Sequence, residues 1–152
     1  MSVQRFTLAG ALCGMAASMA LALPGSAEPP GDGGCYQGSQ VSSWLVPGTG
    51  SAGQNVHSEG NLWICDSPLL PGIDAVQVSY EIPWGGGPGS ARFAWSDGSV
   101  STATGGGGNL WGITDGPASG HSIQLNILEN STTDAQGNTD STYLLLSAIF
   151  MP

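Results

Sequence analysis

Residues 75–82 read Ala75-Val76-Gln77-Val78-Ser79-Tyr80-Glu81-Ile82. In an extended chain Val76, Val78, Tyr80 and Ile82 fall on one face and Gln77, Ser79 and Glu81 on the other. That two-residue period belongs to a strand with one buried and one wet side. Ile123, Leu125 and Ile127 alternate in the same way with Gln124 and Asn126. Outward from these, Gln40 to Val46 is ended by Pro47-Gly48, and Asn61 to Cys65 is stopped by Asp66-Ser67-Pro68. Ala91 to Trp95 runs into Ser96-Asp97-Gly98, a hairpin signal, and Val100 to Thr104 returns from it. Asn109 to Thr114 is a further strand, and Tyr143 to Met151 is so continuously apolar that it predicts a central strand buried on both faces. No window after residue 27 carries a helical stripe. With 25 Gly and 10 Pro in 152 residues, turns and short strands are favoured over helices. The expected fold is all-β: an antiparallel β-sandwich, immunoglobulin-like or jelly-roll-like, of about seven or eight short strands, with a small β-barrel as the alternative.

The N-terminal segment is of another kind. Arg5 is its only charged side chain, Phe6 to Leu23 is apolar, Pro24 breaks any helix, and Gly25-Ser26-Ala27 offers the small residues a signal peptidase requires. Residues 1–27 are therefore expected to be a signal peptide cleaved after Ala27; an uncleaved anchor and lipidation at Cys13 are the alternatives. Residues 28–34, Glu-Pro-Pro-Gly-Asp-Gly-Gly, read as a linker too rich in Pro and Gly to join a core. Residues 35–152 are then a single β domain. The expected location is secreted, extracellular or at the cell envelope.

Cleavage leaves Arg92 alone against 11 acidic residues, one positive and eleven negative charges, for a formal charge of −10. No Lys occurs anywhere. Without a basic footprint neither nucleic acid nor an anionic membrane surface is an expected partner. A polysaccharide or a protein remains possible as a partner. A hydrophobic fraction of 40% with five Trp is too apolar for a disordered chain.

Cleavage also leaves two cysteines, Cys35 and Cys65, in an oxidising compartment. A disulfide is expected, since no CxxC or HxxxH spacing supports zinc; a catalytic thiol would need a base close in space, and the distance in sequence to the two His decides nothing on that point.

Gly60-Asn61-Leu62-Trp63 recurs as Gly108-Asn109-Leu110-Trp111. Asp66 and Asp115, Pro68 and Pro117, and Gly72 and Gly120 continue the echo. Its sharpest meaning is duplication, with two halves packed face to face. Chance likeness of turn-bounded strands is the alternative. On either account Trp63 and Trp111 are expected in the core.

The stretch Gly89-Ser90-Ala91-Arg92-Phe93-Ala94-Trp95-Ser96-Asp97-Gly98-Ser99-Val100-Ser101-Thr102, followed by Gly112-Ile113-Thr114-Asp115-Gly116-Pro117-Ala118-Ser119-Gly120, resembles small secreted actinobacterial β-rich proteins of no established function. The resemblance spans roughly residues 60–128. It implies a bacterial, secreted β-protein and transfers no residue roles.

The sequence offers four candidate chemistries. Glu81, Asp97 and Asp115 sit at strand ends or turns, and a pair of them about 5–10 Å apart across a cleft would suit glycoside hydrolysis; turn capping and solubility explain such acids more simply. Gly120-His121-Ser122-Ile123-Gln124 has Gln where a nucleophile elbow needs Gly, and it opens a strand rather than a helix. His57 and His121 are expected at the surface or in turns. Asp134, Asn138 and Asp140 place oxygen ligands at spacings a calcium ion uses, around Gly137, but the segment departs from the EF-hand loop and a polar hairpin loop is the simpler reading. The sequon Asn130-Ser131-Thr132 is idle in a bacterial source. Trp84, in the loop Trp84-Gly85-Gly86-Gly87-Pro88-Gly89, is the indole best placed to stack on a sugar ring, with Asp97 and Asn109 as companions.

The expected function is a secreted, acidic, non-catalytic binding or interaction module, with carbohydrate as the candidate ligand. A small carboxylate-dependent hydrolase and a self-associating envelope protein, joined through residues 143–151, are the alternatives. No cofactor is expected, calcium excepted.

Overall fold

The computed structural model describes residues 31–152; residues 1–30, on which the expected signal peptide falls, lie outside the described part. The chain forms β1 (Gly34–Gly38), β2 (Gln40–Pro47), β3 (Gln54–Asp66), β4 (Val76–Pro83), β5 (Gly89–Trp95), β6 (Val100–Gly105), β7 (Leu110–Asp115), β8 (Ser122–Thr133) and β9 (Thr139–Met151). From β3 to β9 each strand pairs antiparallel with the next. β1 and β2 together lie between β3 and β9, forming one bent stave. Ser39 bridges the bend, taking the Asn61 carbonyl on its amide at 2.9 Å and giving its own carbonyl to the Leu145 amide at 2.9 Å. The sheet thus closes into an eight-stranded up-and-down barrel. All-β antiparallel structure was expected. The architecture is the barrel that stood as the alternative; one sheet closing on itself takes the place of the two sheets of a sandwich.

A barrel wall has one inner face, and this changes the part played by β9. Leu145, Ala148 and Phe150 point inward and are buried, while Leu144 and Leu146 lie on the outer wall, 38% and 47% exposed. The expected strand buried on both faces is therefore one-sided. A bulge opposite Asn126/Ile127 shifts the alternation between Leu145 and Ala148, which disguises the two-residue period in the sequence.

The inner face is filled unevenly. From mid-barrel to one end it is packed with Leu62, Val78, Phe93, Trp111, Ile123, Leu125 and Phe150, all fully buried. Each such side chain stabilises the fold by roughly 1.5–3 kcal/mol. The β3–β4 connection folds Leu70 and Ile73 under that end as a plug. Below them Trp95 Nε1 donates to Ser101 Oγ at 2.7 Å, and Ser101 passes its own proton to the Pro117 carbonyl at 2.7 Å. The Cys35–Cys65 disulfide joins directly opposed residues of β1 and β3 at this closed end. The linker expectation needs correcting at its last residues. Gly33 accepts from the Phe150 amide, and Gly34 opens β1, fully enclosed where a Cβ would run into the Ala148 carbonyl.

The repeated tetrapeptides do not occupy equivalent places. Leu62 is buried and Trp63 is 56% exposed, whereas Leu110 is 40% exposed and Trp111 is buried. The two copies are out of phase by one residue relative to the wall, so each presents the opposite face. Trp63 is thus an outer-wall residue, contrary to expectation. A single meander replaces two halves packed face to face.

Candidate functional site

The other end of the barrel is open. Two of its inner positions are serines where the closed end has large apolar groups: Ser43 faces Ser58 across β2 and β3, with their hydroxyls 2.8 Å apart. A cavity of about 400 Å³ results. Its apolar wall is Val41, Val56, Ile82 and Ile127. Its polar lining is Ser43, Ser58, Asn109 and Glu129, with Tyr80 and Tyr143 adding ring faces and phenols.

Local sequence explains the position of each. Tyr80 points inward by the alternation read in residues 75–82, and it meets Ala91 on β5 and Trp111 on β7, whose ring lies 5.6 Å away. Burial raises the Tyr80 phenol above its ordinary pKa, against a smaller opposing effect of the Ser58 hydroxyl. Trp111 Nε1 is buried with no hydrogen-bond partner among the described residues. Asn109 ends a tight turn of four glycines in a left-handed conformation, φ 61°, which Asn tolerates. Gly106 in that turn has φ 100°, and a Cβ there would come within 2.9 Å of the Trp111 ring. The Gln124 amide holds the turn by donating to the Gly108 carbonyl at 2.6 Å.

Glu129 and Tyr143 form the rim. They are directly opposed on β8 and β9, and the phenol donates to the carboxylate at 3.3 Å. Ser131 Oγ donates to the same carboxylate at 3.1 Å. The Glu129 charge raises the Tyr143 pKa, with burial a lesser cause in the same direction. Beside this rim the wall is split. β2 pairs with β9 only at Gln40–Leu144 and Val41–Tyr143; beyond that, β2 follows β3 and β9 follows β8. The gap between them exposes the cavity to solvent.

The residues proposed from sequence for a ligand face are divided between the two ends. Asn109 lines the cavity, and Trp84, 51% exposed, stands in the β4–β5 loop at the same end. Its backbone is fixed by hydrogen bonds to Gln54 and Ser51. Asp97 sits in the β5–β6 turn at the closed end, where its carboxylate accepts from the Ser99 amide and hydroxyl, which lowers its pKa. Asp134 uses both carboxylate oxygens on its own hairpin, accepting from the Gln136 and Asn138 amides and the Asn138 side chain. Asp140 pairs across the ladder with Thr132. Among the described residues no group of three or more His, Cys, Asp or Glu side chains has the geometry of a metal site.

Glu81 and Asp115 lie on β4 and β7, with two strands between them. At about 4.8 Å per strand step they are roughly 14 Å apart along the wall before any axial offset, too far for the carboxylate pair of a glycosidase. Glu81 instead belongs to an outer-wall cluster. His57 Nδ1 lies 3.2 Å from Glu81 Oε1 and Nε2 lies 3.0 Å from Glu59 Oε1, while the Trp44 ring covers the imidazole at 4.7 Å. Half-buried in mid-strand, His57 is more enclosed than the surface or turn position expected of it.

The cavity went unnoticed in the sequence because its signal is the size of inward residues, and which residues face inward depends on closure. The disulfide is compatible with an extracellular location, and among the described residues no helix is long and apolar enough to cross a membrane. No protein family, no curated protein and no solved structure matches this chain.

Proposed function

We propose that the chain is a secreted binding module that holds one small, partly apolar molecule in the open end of its barrel. The observation that carries this reading is the unequal filling of the interior. Eight strands enclose a space just wide enough to be packed by side chains or to hold one small ligand, and here one half is packed while the other keeps a cavity of about 400 Å³. Apolar walls with a few convergent polar groups are the usual character of a small-molecule site. The leader and the disulfide support action outside the cell. Trp84 and Asn109 belong to the same end, so the indole first considered as a sugar platform becomes a neighbour of the cavity mouth.

The test is a small-molecule screen by backbone amide chemical shifts. Ligands are expected to perturb Val41, Ser58, Tyr80, Ile82 and Ile127 together. Val56→Trp, which fills the space, is expected to abolish the response while preserving the rest of the spectrum. Hits confined to the outer wall, or hits unaffected by Val56→Trp, would refute the reading.

A further inference from the structure

The cavity lining is asymmetric in charge. Glu129 is its single ionisable carboxylate, and no Lys, Arg or His lines it among the described residues. Arg92, the one cation left to the domain besides its histidines, is on the outer wall of β5, across from Ser79. Resting on the reading of the cavity as a ligand site, we propose that its ligand is an amphiphile with a protonated amine or quaternary ammonium head. The head sits against Glu129 between the rings of Tyr143 and Tyr80, and the apolar body lies along Val56, Ile82 and Ile127.

Three features converge on this class. The Glu129 carboxylate accepts hydrogen bonds from Tyr143 and Ser131 at one side of the cavity, which holds it in place. A charged donor arriving there gains a charge-assisted bond stronger than a neutral one. Tyr143 and Tyr80 offer the electron-rich ring faces that attract ammonium groups, quaternary ones included. An anionic head would meet Glu129 with no counter-charge, and the strongly negative chain repels it on approach. A neutral hydroxyl head can donate to the carboxylate but lacks the attraction of opposite charges and of the ring faces.

Four probes of one chain length separate the possibilities: octylamine, octyltrimethylammonium, octanol and octanoate, titrated calorimetrically into the purified protein. The two cations are expected to bind about tenfold tighter than octanol, and octanoate weakest. Glu129→Gln, a near-isosteric change at an exposed position, is expected to cut the lead of the amine over octanol to the smaller share the tyrosine rings supply, with octanol little changed. Glu81→Gln removes an equal charge from the outer wall and is expected to preserve the preference. Octanol or octanoate matching the amine in the wild type, a preference undiminished by Glu129→Gln, or one reduced equally by Glu81→Gln, would overturn the head-group assignment and leave the cavity reading intact. Binding of none of the four would overturn the assignment; failure of the amide-shift screen as well would remove the cavity reading with it.

Discussion

Glu129 and Tyr143 face each other across the β8–β9 ladder at the point where β9 parts from β2, so the hydroxyl–carboxylate contact of 3.3 Å lies on the lip of the split wall. Neither side chain is deeply buried, and each is shown to the cavity by the same inward phase that carries Ile127 and Leu145 into the barrel. The lip of the open end is therefore organised by the long β8–β9 hairpin, while the closed end is tied by the plug, the disulfide and the Trp95–Ser101–Pro117 chain.

The carboxylate beside Tyr143 disfavours its phenolate and raises its pKa above the ordinary 10.0. Replacing Glu129 by Gln removes the charge, and the Tyr143 pKa is expected to fall toward that value. Ring-carbon shifts of labelled tyrosine, followed against pH, resolve Tyr143 from Tyr36 and Tyr80. An unchanged Tyr143 titration in Glu129→Gln would show that the two groups do not sense each other in solution.

His57 has a pH signature of its own. Burial lowers its pKa, and the hydrogen bonds and charges of Glu59 and Glu81 more than reverse that, leaving it above 6.5. A raised folded-state pKa stabilises the fold in the imidazolium form; the contribution is complete below the unfolded value and is lost as pH rises through the folded one. Thermal unfolding of the wild type should therefore fall relative to His57→Gln as pH climbs from about 6 into the alkaline range. Parallel curves for the two proteins would mean that the cluster is screened to nothing.

Ser101 is fully buried and serves two partners, accepting from the Trp95 indole and donating to the Pro117 carbonyl. Ser101→Ala orphans both groups at a cost of about 1–3 kcal/mol for each left unsatisfied. Ser101→Thr, which keeps the hydroxyl, should lose its stability through crowding instead and retain the protected Trp95 Nε1 proton. Urea unfolding with indole hydrogen exchange separates the two effects. Wild-type stability in Ser101→Ala would show that the buried chain is energetically idle.

Much of this wall was legible in residue alternation and much was not, for reasons that are local. Val76 to Ile82 and Ile123 to Ile127 reveal their inner faces because one side is polar. The first half of β3, Gln54 to Gly60, is almost wholly polar outside and small inside, so no apolar stripe marks it. Tyr143 to Met151 hides its one-sidedness because Leu144 and Leu146 are apolar on the outer wall and the bulge breaks the period. Trp63 and Trp111 each follow the same Gly-Asn-Leu yet face opposite ways, since phase is set by strand pairing rather than by the tetrapeptide. Asn109 lines the cavity, but its neighbours there, Glu129, Tyr80 and Ser58, come from strands distant in sequence, and only closure brings them together.

The disulfide supplies the last prediction. Cys35 and Cys65 are 30 residues apart in sequence and directly opposed on β1 and β3. Removing a cross-link over such a loop costs about 3–4 kcal/mol in the chain-entropy account. The double variant Cys35→Ala/Cys65→Ala should show that loss as a lower urea midpoint, and the wild type should show it on adding reductant. The bond pins β1 at the closed end, so the first amides to gain hydrogen exchange should be those of Tyr36 and Phe150, whose partner Gly33 leads into β1. Val41, Ser58 and Ile127 around the cavity should keep their wild-type shifts, because the barrel is still closed there by Gln40–Leu144 and Val41–Tyr143. If the cavity residues shift as far as those of β1, the two ends are a single cooperative unit, and the tight end does not stand independently of the open one.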